Sequence, residues 1–511
     1  MKRIGGVVGV CAVVIGCLAG AGLALAALVL PSADPFYTYS VTASAHLSNG
    51  TVLKERAVKV GVEGVLATYP AEQVLYKTEN ELGQPSATVA TIIRPNNPPA
   101  QTKIISYQTF YDGDAPVCRP SYTLQGGGAA GTGSLESAFI LDFVEQGYTV
   151  VTSDYEGETD DYGAGQESGR NSLDAVLAAE NQLKLPRNTP VGLIGYSGGA
   201  TATDWAAQEA PQYAPSLNIV GAAAGGIPVD FEHILNYIGG TSDWAGAIPS
   251  VFLGLARAYH LDINDYLNAY GKSVIAGVEG GCLNPFADGG LTLNKMLKAP
   301  YTTSPVLVRI FNRTIMGTQT PKAPEFMLVG NYDGTGDGVM IAKDVQQLAY
   351  SWCKRGVPVE FQEILGADHY AAIAPFELEA IPWFQSRFAG RQAQSNCAET
   401  TPGNPLTPLP VPASPARVVA FVRLLSAAVS HGVRGLVLKL QLSSGTAHGV
   451  TIELKRGNKV VAKIADLTLT SRQRKLVLRV DGRAPAPGRY TLVAFAGVTT
   501  LLHRTLTIPR S

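Results

Sequence analysis

Apolar and polar positions along this chain follow two textures, and the change falls near residue 400. Before it, short apolar runs alternate with longer segments of helical spacing. The runs "ATVATIIRP" (87–95), "TKIISYQTF" (102–110), "YTVVTSDYEG" (148–157), "PVGLIGYS" (190–197), "LNIVGAAAGG" (217–226), "EFMLVGNYDG" (325–334) and "PVEFQEILGADH" (358–369) read as strands. Segments such as "SLESAFILDFVEQG" and "DVQQLAYSWCKRG" read as the helices between them. Strands alternating with helices predict an α/β fold with a largely parallel sheet. One segment breaks the alternation. Residues 229–320 are apolar with helical spacing and have no clear strand, so they predict a helical cap over the carboxyl ends of the strands, where open α/β sheets bind ligands.

Beyond residue 400 the spacing shortens. Thr400 to Pro415 is proline-rich and predicts an extended, stiff linker. Residues 416–511 then alternate apolar and polar positions in "VVAFVRLL", "GLVLKLQLSS", "GVTIELKRG", "KLVLRV" and "RYTLVAFAG", separated by turn signals, which predicts a small β-sandwich with an accessory role. At the other end, Met1-Lys2-Arg3 precedes an uncharged apolar run from Ile4 to Leu30. A basic start followed by such a run predicts export, with residues 1–33 as a signal peptide cleaved after Ala24-Leu25-Ala26 or as an uncleaved membrane anchor. The expected location is outside the cell or on the outer face of its membrane or envelope. The α/β domain is therefore expected over residues 34–399.

Composition narrows the classes. With 46% hydrophobic and 16% charged residues the chain is globular, and a formal net charge of -1 argues against nucleic acid as a main partner. Cys11 and Cys17 lie in the leader; Cys118, Cys282, Cys353 and Cys397 remain, enough for two disulfides in any of three connectivities.

The chemistry centres on Gly195-Tyr196-Ser197-Gly198-Gly199. In a glycine-rich chain the bare pattern says little. Here an apolar strand pattern precedes it and a helix of small residues follows, so Ser197 is expected at the tip of a nucleophile elbow. A serine hydroxyl needs a base, and the base an orienting carboxylate. In α/β-hydrolases the order is Ser, acid, His. His46 precedes Ser197, His233 and His260 fall in the cap, and His431, His448 and His503 follow the linker; His369 in "GADHYAA" remains. The acid should follow "FMLVG", where Asp333 and Asp337 compete; Asp337 is favoured because apolar residues and a helix follow it, and the other is expected to brace the loop. Oxyanion donors are expected from the Gly198 amide and from Asp112, in the loop after "KIISYQTF".

With these residues placed, the chain resembles the secretory lipase family, the lipase-A-like α/β-hydrolases, over residues 35–397. The resemblance rests on "QVLYKTENELGQPSATVATIIRP", "SYQTFYDG", "DYEG", "GYSGGA" and the pair Asp337 and His369. It implies an α/β-hydrolase fold and a Ser197–Asp337–His369 triad, with Asp112 contributing to the oxyanion hole. It also implies a cap over an acyl tunnel and disulfides pairing Cys118 with Cys282 and Cys353 with Cys397. The implied activity is hydrolysis of lipid carboxylic esters of the acylglycerol type through an acyl-enzyme, needing no metal or organic cofactor. The expected partners are the lipid ester and, through the tail, a lipid interface or the cell envelope. Two rivals are an acyltransferase using the same acyl-enzyme and a catalytically inactive cell-surface binding protein.

Overall fold

All seven apolar runs before residue 400 become strands of one sheet. The computed structural model describes residues 28–62, 65–66, 69–128, 132–241, 243–413, 422–430, 433–443, 446–496 and 499–509. Residues 1–27, with most of the leader run, its cleavage signal, Cys11 and Cys17, lie outside them. The chain divides into two compact units, residues 1–412 and 413–511.

The sheet of the first unit has nine strands: β1 Val52–Val58, β2 Ala71–Glu79, β3 Pro85–Ile93, β4 Ile104–Gln108, β5 Thr149–Ser153, β6 Pro190–Tyr196, β7 Asn218–Gly225, β8 Glu325–Asn331 and β9 Val359–Leu365. They lie side by side in the order β1-β2-β3-β5-β4-β6-β7-β8-β9. The strands from β5 to β9 run parallel, and β1 to β3 form an antiparallel leading edge. Strands β1 and β2 escaped the apolar-run reading because β1 is half solvated and β2 mixes charged residues into its run. The central strands β4, β5 and β6 are buried on both faces, as their near-continuous apolar sequences require.

Helices α1 Thr132–Glu145, α2 Gly165–Leu183 and α3 Gly198–Tyr213 fall between the strands from β4 to β7. Between β7 and β8 come α4 Phe231–Tyr237, α5 Ala247–Ala258, α6 Ala269–Val278 and α7 Pro305–Arg313, with shorter helical turns and, among the described residues, no strand of the main sheet. This is the helical insertion. Its apolar residues, among them Ile248, Val251 and Phe252, share one core with Met327 and Val329 of β8. Two further helices, α8 Ala342–Lys354 and α9 Ile373–Phe388, follow β8 and β9. The disulfides are Cys118–Cys282, fastening the loop after β4 to the insertion, and Cys353–Cys397, fastening the unit's end to α8.

The proline-rich stretch, read as an extended and stiff linker, packs for most of its length on the domain before it. Through residue 412 it belongs to the first unit. Gln346 donates to the Thr401 carbonyl (2.9 Å), Asn404 donates to Asp344 (2.7 Å), and Asn312 exchanges two hydrogen bonds with Leu409 (2.9 and 2.7 Å). Leu406 and Leu409 pack against the main core. Proline-rich composition dictates an extended backbone but not whether that backbone is docked. A stability prediction follows from this docking. A chain ending at Pro412 should keep the thermal midpoint of the first unit. One ending after Cys397 loses two partly buried leucines and several hydrogen bonds, about 3 kcal/mol together, and should melt several degrees lower by calorimetry.

Among the described residues the second unit is a seven-stranded sandwich. One sheet holds β10 Val422–Ser430, β11 Gly435–Leu442 and β14 Arg474–Leu478. The other holds β12 Thr446–Arg456, β13 Lys459–Thr470, β15 Gly488–Ala496 and β16 Thr499–Ile508 in the order β13-β12-β15-β16. Alternate residues point inward, so Leu436, Leu438, Leu440 and Leu442 share a core with Val450, Ile452 and Leu454. Strands β13 and β16 were not among the runs read from sequence.

Candidate active site

Four loops at the carboxyl ends of β4, β6, β8 and β9 bring Asp112, Ser197, Asp337 and His369 together. Ser197 sits between β6 and α3 with φ 54° and ψ -121°, a strained conformation for a residue with a side chain. The tight turn depends on its glycines. A Cβ on Gly195 would lie 2.4 Å from the Gly199 carbonyl oxygen, and one on Gly198 would lie 1.7 Å from Asp112 Oδ1.

The Ser197 hydroxyl lies 2.8 Å from His369 Nε2, and His369 Nδ1 lies 2.7 Å from Asp337 Oδ2. The other oxygen of Asp337 accepts from the amides of Val339 (2.9 Å) and Met340 (2.7 Å). The backbone reinforces the pair, since the His369 amide donates to the Asp337 carbonyl (2.9 Å). Tyr196 adds a further brace by donating to the His369 carbonyl (2.7 Å). Of the two competing aspartates, Asp337 meets the imidazole. Asp333 is exposed and turns into its own loop, accepting from Thr335 N (2.7 Å), Gly336 N (2.9 Å) and the Tyr237 hydroxyl (2.8 Å).

Asp112 is buried beside the serine and accepts from Tyr162 (3.3 Å). Burial pushes its carboxyl up to about 6, against the pull of the Tyr162 hydroxyl and the His369 imidazole. The Gly198 amide opens α3, where first-turn donors have no carbonyl of their own helix to meet. A carboxyl that holds its proton to higher pH than usual and a helix-start amide therefore flank the hydroxyl. Above them is a cleft open to solvent, with Phe110, Trp244, Leu283, Tyr370 and Ile373 as its apolar walls.

Trp244, from the helical insertion, was not singled out in the sequence. It stacks on Tyr370 (5.4 Å) and meets the His369 ring edge-on (5.2 Å), so it shields the imidazole from water. Its only sequence signal is an aromatic residue within the cap, with a second aromatic beside His369.

Asp112 belongs to a set of carboxyls whose proton affinity burial raises. Asp114, Asp161 and Asp174 are each pushed up to about 7 and Asp154 to about 6, in every case chiefly by desolvation. The unfolded chain releases these protons near pH 4, whereas the folded chain keeps them to pH 6–7. Each group thus stabilises the fold fully below about pH 4 and loses that contribution as pH rises through its folded value. His233, raised to about 9 chiefly by its hydrogen bond to Asp344, acts in the same direction at higher pH. Thermal melts should therefore give a higher midpoint at pH 5 than at pH 8. A midpoint that rises across this interval would contradict the burial of these acids.

Comparison with known proteins places these features in context. The family model for secretory lipase matches residues 129–396. A Mycobacterium tuberculosis protein named "Probable inactive lipase" is 32% identical over 73% of this chain and 86% of its own. "Secreted triacylglycerol lipase LIP4" of Malassezia globosa is 29% identical over 73% of this chain and 84% of its own. The closed-state crystal structure of Candida antarctica lipase A superposes with a TM-score of 0.69 at 28% identity, covering 75% of this chain and 92% of that one.

Proposed function

The chain belongs to the secretory lipase family of α/β-hydrolases, and from that premise we propose that it is an exported serine hydrolase that cleaves acylglycerol-type esters through an acyl-enzyme on Ser197. One observation carries the reading: the unbroken hydrogen-bond chain Ser197–His369–Asp337 at the floor of an apolar cleft.

In this mechanism His369 Nε2 takes the Ser197 proton as the oxygen attacks the ester carbonyl, and Asp337 stabilises the imidazolium and fixes its tautomer. The developing oxyanion accepts from the Gly198 amide and from the protonated carboxyl of Asp112. The imidazolium then protonates the departing alcohol. Water, activated by the same imidazole, releases the fatty acid. The strained turn holds the hydroxyl in place, and the apolar walls suit an acyl chain, whose burial supplies about 0.8 kcal/mol per methylene.

A second reading has a specific support: the mycobacterial relative's name marks an inactive protein. Turnover separates the two. The full-length protein should hydrolyse p-nitrophenyl esters and release fatty acid from a triacylglycerol emulsion. Absence of turnover on both substrates from folded protein would favour the binding-protein reading. Product analysis with a lipid alcohol present distinguishes hydrolysis from acyl transfer.

A further inference from the structure

The near-zero net charge of the chain conceals two opposite halves. Residues 413–511 carry 16 Lys and Arg against 3 Asp and Glu, whereas residues 1–412 carry 24 against 38. Of the three acids, Glu453 is neutralised by Lys455 (3.3 Å) and Lys463 (3.4 Å). Asp466 lies in β13 of the other sheet and Asp481 in the turn three residues after β14, both at left-handed φ (55° and 50°).

That sheet carries no acid in any strand. On its outward face Lys439 of β11 stands directly opposite Lys475 of β14, with both side chains exposed. Like charges paired across antiparallel strands destabilise the sheet unless an anion lies against them. Arg434, Arg472 and Arg479 are exposed at the strand ends, and Leu425 and Val433 expose apolar surface on the same sheet and its turn. The three strands contain no aromatic residue, so they lack the stacking platforms that hold nucleobases. Cations interspersed with exposed aliphatics suit a charged lipid interface instead.

We infer that the outward face of the β10-β11-β14 sheet docks the protein onto an anionic lipid surface. The inference extends the lipid-ester reading by assigning the tail the task of holding the enzyme at a charged lipid–water interface, where substrate is concentrated. The first unit, rich in carboxylates, offers no such attraction; the tail supplies it.

Sedimentation of the full-length protein with vesicles tests this without using turnover. Vesicles of phosphatidylcholine containing about 30% phosphatidylglycerol should bind the protein near 0.05 M salt and release it near 0.5 M, and pure phosphatidylcholine should not bind it. At about fivefold in affinity per cationic side chain, Lys439→Gln with Lys475→Gln should weaken binding roughly 25-fold, and the paired Lys→Arg variant should bind like the parent. Equal binding to neutral vesicles, or binding that survives high salt, overturns the inference even if the variants misfold. So does unchanged affinity of a folded Lys→Gln variant. Retention on heparin or DNA without vesicle binding assigns the face to a soluble polyanion and likewise overturns it. Vesicle binding without ester turnover would leave this inference standing and sink the enzyme reading alone; turnover without vesicle binding would do the reverse.

Discussion

Replacing Ser197 by alanine is expected to lower kcat on p-nitrophenyl esters by about six orders of magnitude, the loss typical when a triad nucleophile is removed. The hydroxyl stands at the cleft floor with a base 2.8 Å away, placed to attack. The fold should survive the change. Alanine fills nearly the same volume, and the β6–α3 turn is held by backbone contacts such as the Ser197 amide's bond to the Gly225 carbonyl (2.8 Å). Circular dichroism and the thermal midpoint should match those of the parent. A variant that retains more than about a thousandth of the activity would place the nucleophile elsewhere, because a triad without its serine keeps only oxyanion-hole and binding contributions.

The second large effect separates two aspartates four residues apart. Asp337→Asn should cost about 10⁴ in kcat. An amide at this position presents a donor to Nδ1, so the neutral imidazole keeps its proton on Nε2 and cannot accept from Ser197. Asp333→Asn should cost no more than a few-fold, because an asparagine oxygen still accepts from the amides of Thr335 and Gly336. Steady-state kinetics on a soluble ester, with melting curves to confirm folding, distinguish the pair. A crippled Asp333→Asn beside an active Asp337→Asn would reverse the assignment.

Much of this site was legible in the sequence because chain order is restrictive. A serine at a strand-to-helix turn and a histidine after the last strand left one workable pair once the cap and tail histidines were set aside. The acid was less determined. Both aspartates stand three residues after a glycine, and sequence spacing does not record that Asp333 folds back onto its own loop while the Asp337 carbonyl receives the His369 amide. Trp244 was invisible for a different reason. Its contact with His369 depends on how a long insertion folds back over the sheet, and no local pattern encodes that.

The proline-rich stretch was read from composition alone, yet composition is blind to the side chains of α7 and α8 that hold it. The whole-chain charge of -1 cancels a basic tail against an acidic first unit. Charge counted by unit would have exposed the tail's character from sequence.

The central claim is that Ser197 forms the covalent intermediate. The most direct measurement treats the full-length protein with a fluorophosphonate, digests it, and locates the adduct by mass spectrometry. The account predicts one phosphonylated site, on the peptide carrying Ser197, with labelling lost in both Ser197→Ala and heat-denatured protein. An adduct on another serine, or none on a folded protein that still turns over esters, would contradict it.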